Sequence, residues 1–86
     1  MNKYVLNYQM SYNMEMLKDM CLGIYDSLNK AEKEKRNWIV DTIDTWKDEG
    51  WEIEILNDDN KQTTFFVRKG VFQCTCRLFI DEFNAE

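Results

Sequence analysis

Residues 3–28, KYVLNYQMSYNMEMLKDMCLGIYDSL, hold two periodicities, and the point where one gives way to the other decides the fold. Tyr4, Leu6, Tyr8, Met10, Tyr12, Met14 and Met16 recur at every second position, with Asn7, Gln9, Ser11 and Asn13 among the residues between them. On a helix, turning about 100° per residue, those positions would scatter around the cylinder, whereas on a strand they share one face. Tyr and Val favour extended backbone and Asn disfavours a helix interior, so a strand to about Tyr12 is predicted. After it, Leu17, Met20, Cys21, Ile24 and Leu28 fall at spacings of three and four, which is a helical stripe. Asn13 stands where an N-cap would, and Glu15 lies in the first turn where the helix dipole favours an anion. A first helix over 14–28 is expected.

The polar run from Asn29 to Arg36 leads to a second stripe, Trp38, Ile39, Ile43 and Trp46. Asn29 with Glu32 has the form of a capping box, and Gly50 suits the residue after a helix end. A second helix over 30–49 follows, with a single bent helix across both segments as the alternative. From Trp51 the period becomes two: Trp51, Ile53 and Ile55 on one side, Glu52 and Glu54 on the other. Asn57, Asp58, Asp59 and Asn60 read as a turn, 63–68 as a strand, Lys69-Gly70 as a tight connection and 71–80 as a last half-buried strand.

Segregated rather than alternating elements point to an α+β class: an N-terminal strand, two helices and a three-stranded antiparallel meander (β-α-α-β-β-β), with the helices on one face of the sheet. With 86 residues, no internal repeat and no linker, the chain reads as one domain over residues 1–86. At 44% hydrophobic and 14% aromatic it can build a core.

The segment KDEGWEIEIL, residues 47–56, resembles the helix-Gly-Trp-strand junction of some small bacterial β-α-β-β domains of unknown function. It covers about a tenth of the chain, and the two-helix insertion departs from that plan. No function follows from it.

Composition narrows the chemistry. Histidine is absent, which removes the commonest general base and metal ligand. Cys21, Cys74 and Cys76 fall one short of the usual four zinc ligands, and Cys74 and Cys76 read as small apolar residues on a buried strand face. No cysteine has a histidine to activate it, and three glycines allow no phosphate loop. No enzyme activity, catalytic residue, cofactor or metal is expected. No stretch has the length of a membrane span or the apolar core of a signal peptide, so the expected setting is the cytoplasm, the host cell's where the chain is phage-encoded.

Charge is unevenly distributed. Residues 41–59 hold eight carboxylates against Lys47 alone, whereas residues 60–77 hold Lys61, Arg68, Lys69 and Arg77 and no acid. Asp41, Asp44 and Asp48 share one helical stripe, away from Trp38 and Ile39, and Glu52 and Glu54 extend the negative run along the next strand. These five form the candidate contact with a basic protein surface, such as a groove that normally holds nucleic acid. The leading expectation is an acidic, non-enzymatic inhibitor or modulator of a nucleic-acid-handling protein, comparable in size and acidity to phage anti-defence proteins.

Two alternatives come from other classes. Tyr4, Tyr8, Tyr12 and Met10, residue types suited to interfaces, could serve a self-associating assembly protein, giving a homodimer through the N-terminal strand. Lys61, Arg68, Lys69 and Arg77 around Phe65, Phe66 and Phe72 could serve a weak nucleic-acid binder, although the net charge of −5 opposes direct phosphate contact.

Overall fold

The computed structural model describes residues 2 to 84. Its elements in chain order are β1 Asn2–Tyr12, β2 Glu15–Tyr25, α1 Leu28–Asp48, β3 Glu52–Asp58, β4 Gln62–Lys69 and β5 Phe72–Asn84. The five described strands join one antiparallel sheet in the order β2-β1-β5-β4-β3, with α1 packed against one face.

The β-α-α-β-β-β expectation is therefore corrected: the segment read as a first helix is an edge strand. Asn13 and Met14 both have positive φ, 48° and 66°, the pattern of a type I′ turn, and Tyr12 pairs with Glu15 across it. Asn13 thus reverses the chain instead of capping a helix. The register slips twice along the β1–β2 ladder, at Leu6/Asn7 and at Met10/Ser11, leaving Leu22 and Leu17 of β2 without partners. Each extra residue breaks the alternation of side chains, so an irregular strand acquires spacings of three and four. Met, Leu, Glu and Lys are also good helix formers, and here sheet pairing overrides that propensity.

The remaining expectations change less. Helix α1 is capped by Ser27, whose hydroxyl accepts from Lys30 N at 3.2 Å, and not by the Asn29/Glu32 pair. It ends in a Schellman motif: Gly50, at φ 88°, donates to Lys47 O and Trp51 to Trp46 O, both at 3.0 Å. Trp46 and Trp51 make the accompanying apolar contact, edge to face at 4.8 Å. Gly70, at φ 61°, turns β4 into β5 as expected.

The core lies between α1 and the sheet face carrying Leu6 and Tyr8 of β1, Cys76, Leu78 and Ile80 of β5, and Phe65 and Val67 of β4. Cross-strand register aligns Leu6 with Ile80, Tyr8 with Leu78 and Phe65 with Cys76, so these chains stack in rows. Helix α1 contributes Ala31, Lys35 and Ile39 to this layer. Lys35 is 1% exposed, and its Nζ donates to Asp59 O at 2.9 Å and to Thr63 Oγ1 at 2.7 Å. The opposite face of the sheet carries no element among the described residues. Its Asn7, Gln9, Ser11, Gln62, Thr64 and Thr75 suit contact with water.

Candidate functional site

Each proposed contact residue can now be placed. Asp41, Asp44 and Asp48 stand exposed along the solvent side of α1. Among the described residues none of the three is in an ion pair. Asp44 and Asp48 sit near the C-terminal end of the helix, where the macrodipole is negative and an anion is unfavourable; only Lys47 opposes them in the last turn. Local helix energetics therefore do not explain these carboxylates.

Glu52 and Glu54 lie elsewhere. They alternate with the inward Ile53 and so occupy the sheet face away from α1. Both approach Arg68, at 3.6 Å and 4.0 Å. The negative run continuous in the sequence is split in space: three aspartates on the helix and two glutamates on the opposite face, shared with an arginine.

The basic set is dispersed as well. Lys69 donates to Glu49 O at 2.7 Å and lies over the Trp51 ring on the helix side. Arg77 packs over Phe79, 4.3 Å from the ring centroid, on the open face. Lys61 is exposed beside the β3–β4 turn. Phe65 is fully buried, Phe66 faces the open side and Phe72 is exposed. No stacking platform framed by all four cations forms.

The N-terminal tyrosines belong mainly to the protein's own core. Tyr8 is buried, its hydroxyl donates to Cys76 Sγ at 3.5 Å, and its ring lies 4.6 Å from that of Trp38. Tyr4 and Met10 pack against the same cluster, and Tyr12 closes the ladder beside the turn. Because β1 is paired on both sides, by β2 and by β5, it has no free edge. The exposed apolar side chains of this region lie on β2 and its turn instead: Met14, Met16, Leu17, Met20 and Ile24.

The cysteines do not converge. Cys21 is exposed on β2, whereas Cys76 is buried on β5 and burial pushes its thiol up to about 11. Among the described residues no group of three or more acids or cysteines is placed to hold a metal ion. No described helix is long and apolar enough to cross a membrane.

An open cleft lies between the second half of α1 and the β1–β2 hairpin. This open cleft of about 520 Å³ is lined by Tyr8, Lys18, Met20, Trp38, Asp41, Thr42, Thr45, Trp46 and Glu49. Its helix wall follows from spacing, since positions 38, 41, 42, 45, 46 and 49 run along one side of an α-helix. Its other wall depends on residues 15–25 being a strand, which the helical spacing of that segment conceals. Comparison of the chain with protein families, with curated proteins and with solved structures finds no match.

Proposed function

We propose that the protein is a small non-enzymatic protein-binding module that acts in the cytoplasm as an acidic inhibitor or modulator of a nucleic-acid-handling protein, in the manner of phage anti-defence proteins. The observation that carries this reading is the line of Asp41, Asp44 and Asp48, exposed and, among the described residues, without ion pairs near the negative end of their own helix. Three carboxylates on a rigid rod suit a basic groove that otherwise receives phosphates. Met14, fully exposed at a left-handed turn position, adds an apolar projection on the hairpin bordering the cleft. Glu52 and Glu54, engaged with Arg68 on the other face, stand outside this contact.

The test is the triple variant Asp41→Lys, Asp44→Lys, Asp48→Lys. Affinity capture from the native host with the wild-type chain should retain a protein with a basic surface, and the triple variant, folded by circular dichroism, should lose it. Binding should also weaken as salt is raised. Unchanged affinity in the triple variant sinks the proposal.

A further inference from the structure

The cleft beside the aspartate line has a composition that selects a ligand type. Its lining is largely aromatic, with Tyr8 and Trp38 tilted against one another at 45° and Trp46 beside them, and Met20 stands on the hairpin side. Its rim carries the carboxylates of Asp41 and Glu49, neither in an ion pair among the described residues. Aromatic faces attract cations through their quadrupole, and carboxylates at the edge of an apolar recess favour the same charge. Glu49 is the C-cap of α1, where the negative end of the helix dipole acts in the same direction, offset in part by Lys69 Nζ, which donates to Glu49 O at 2.7 Å. Thr42 and Thr45 supply hydroxyls on the helix wall, and Thr45 Oγ1, which donates to Asp41 O at 2.9 Å, keeps lone pairs free to accept.

We infer that this cleft receives an arginine side chain of the basic partner, with the guanidinium plane against the indoles and its N–H groups toward Asp41, Glu49 and Thr45. The inference rests on the preceding reading that the partner is basic. Arginine fits better than lysine because its planar, weakly hydrated head stacks on aromatic faces and donates in a fork. A neutral aromatic ligand would leave the two carboxylates with Lys18 as the one counter-charge in the lining. Lys18 is the one cation in the lining. It is exposed, on the edge strand, and not in an ion pair among the described residues, so an incoming arginine can displace it from the lining.

The probe is N-acetyl-arginine methylamide, titrated into the full chain while the indole N–H resonances are followed by NMR. Its neutral isostere, the citrulline derivative, serves as control. Trp38 and Trp46 should show saturable shifts in the millimolar range with arginine, and citrulline should bind about tenfold more weakly. Asp41→Asn with Glu49→Gln should weaken arginine binding about tenfold. Lys18→Gln should tighten it severalfold, a gain that unfolding cannot imitate.

Absence of a saturable shift with arginine, or equal binding of citrulline, overturns the inference. If the cleft fails this test while the triple reversal still abolishes partner capture, the acidic-contact reading stands without it. If arginine binds as described while the triple reversal, which also reverses Asp41 of the cleft, leaves capture intact, both the aspartate contact and the partner's arginine as occupant are overturned.

Discussion

Lys35 crosses the layer between helix and sheet to place its Nζ 2.7 Å from Thr63 Oγ1, and this contact ties the middle of α1 to the start of β4. The acceptors of the ammonium are neutral, the Thr63 hydroxyl and the Asp59 carbonyl, so burial holds its pKa below the ordinary lysine range. Asp58 accepts in turn from Thr63 Oγ1 at 2.9 Å and from Arg36 at 3.1 Å. A chain of polar contacts thus fixes the β3–β4 turn under the helix.

Two substitutions separate the stem of Lys35 from its head. Lys35→Ala removes both packing and donor, and should lower unfolding free energy by about 3 kcal/mol, within the range for large-to-small changes at buried sites. Lys35→Met keeps the stem and avoids burying a charge, so its loss should be about 1 kcal/mol. Urea denaturation of both variants at neutral pH measures the difference. Equal losses would mean that the ammonium, not the stem, supplies the stabilisation.

Much of the fold was legible where alternation was strict. The N-terminal strand, the meander and the Gly50 and Gly70 turns follow from residues whose pattern the sheet enforces, because a strand buried on one face must alternate. Residues 15–25 form an edge strand largely exposed to solvent and carry two bulges, so neither constraint acts, and helix-forming residues obscure the pattern. The cleft was not legible, for the same reason. The sequence turns Asp41 away from Trp38, whereas both line the cleft, and Lys18 and Met20 oppose them only because the hairpin folds back through Asn13 and Met14.

That turn makes a second prediction. Met14 occupies a left-handed conformation at φ 66° and its side chain is fully exposed, so it meets the steric cost of that region without packing in return. Type I′ turns favour Asn-Gly, and Met14→Gly would create that dipeptide. The variant should be more stable by about 1 kcal/mol, raising Tm by roughly 4–8 °C for a domain of this size. Differential scanning calorimetry checks this, and a lower Tm would show that Met14 packs in a way its exposure does not indicate.

A third concerns acid. The carboxyl of Asp58 is held below the ordinary value of 3.8, first by the hydrogen bond from Thr63 and then by Arg36. Because the folded pKa is depressed, the stabilisation is present above about pH 3.8 and is lost as pH falls through the lower folded value. Asp58→Asn should therefore be less stable than the wild-type chain at pH 7, and the gap should close in strong acid. Its size at pH 7 should be about 1 kcal/mol or less, since the pair with Arg36 is solvent-exposed and screened. Urea titrations across this range decide it; a gap independent of pH would assign the loss to packing.

The aspartate line gives a prediction on stability that complements its binding test. If Asp41, Asp44 and Asp48 serve a partner and not the fold, exchanging them for lysine should not harm the isolated domain. The expected effect is a gain, because cations near a helix C-terminus interact favourably with the dipole, by about 0.3–1 kcal/mol each in the last turn and less further in. Asp48→Lys should therefore contribute most, Asp41→Lys least, and the triple variant about 1–2 kcal/mol in all. Denaturant unfolding at low salt gives the values, and added salt should shrink the gain. A stability loss in the triple variant would instead mean that these carboxylates support the fold, and failed partner capture could then no longer be attributed to the contact surface.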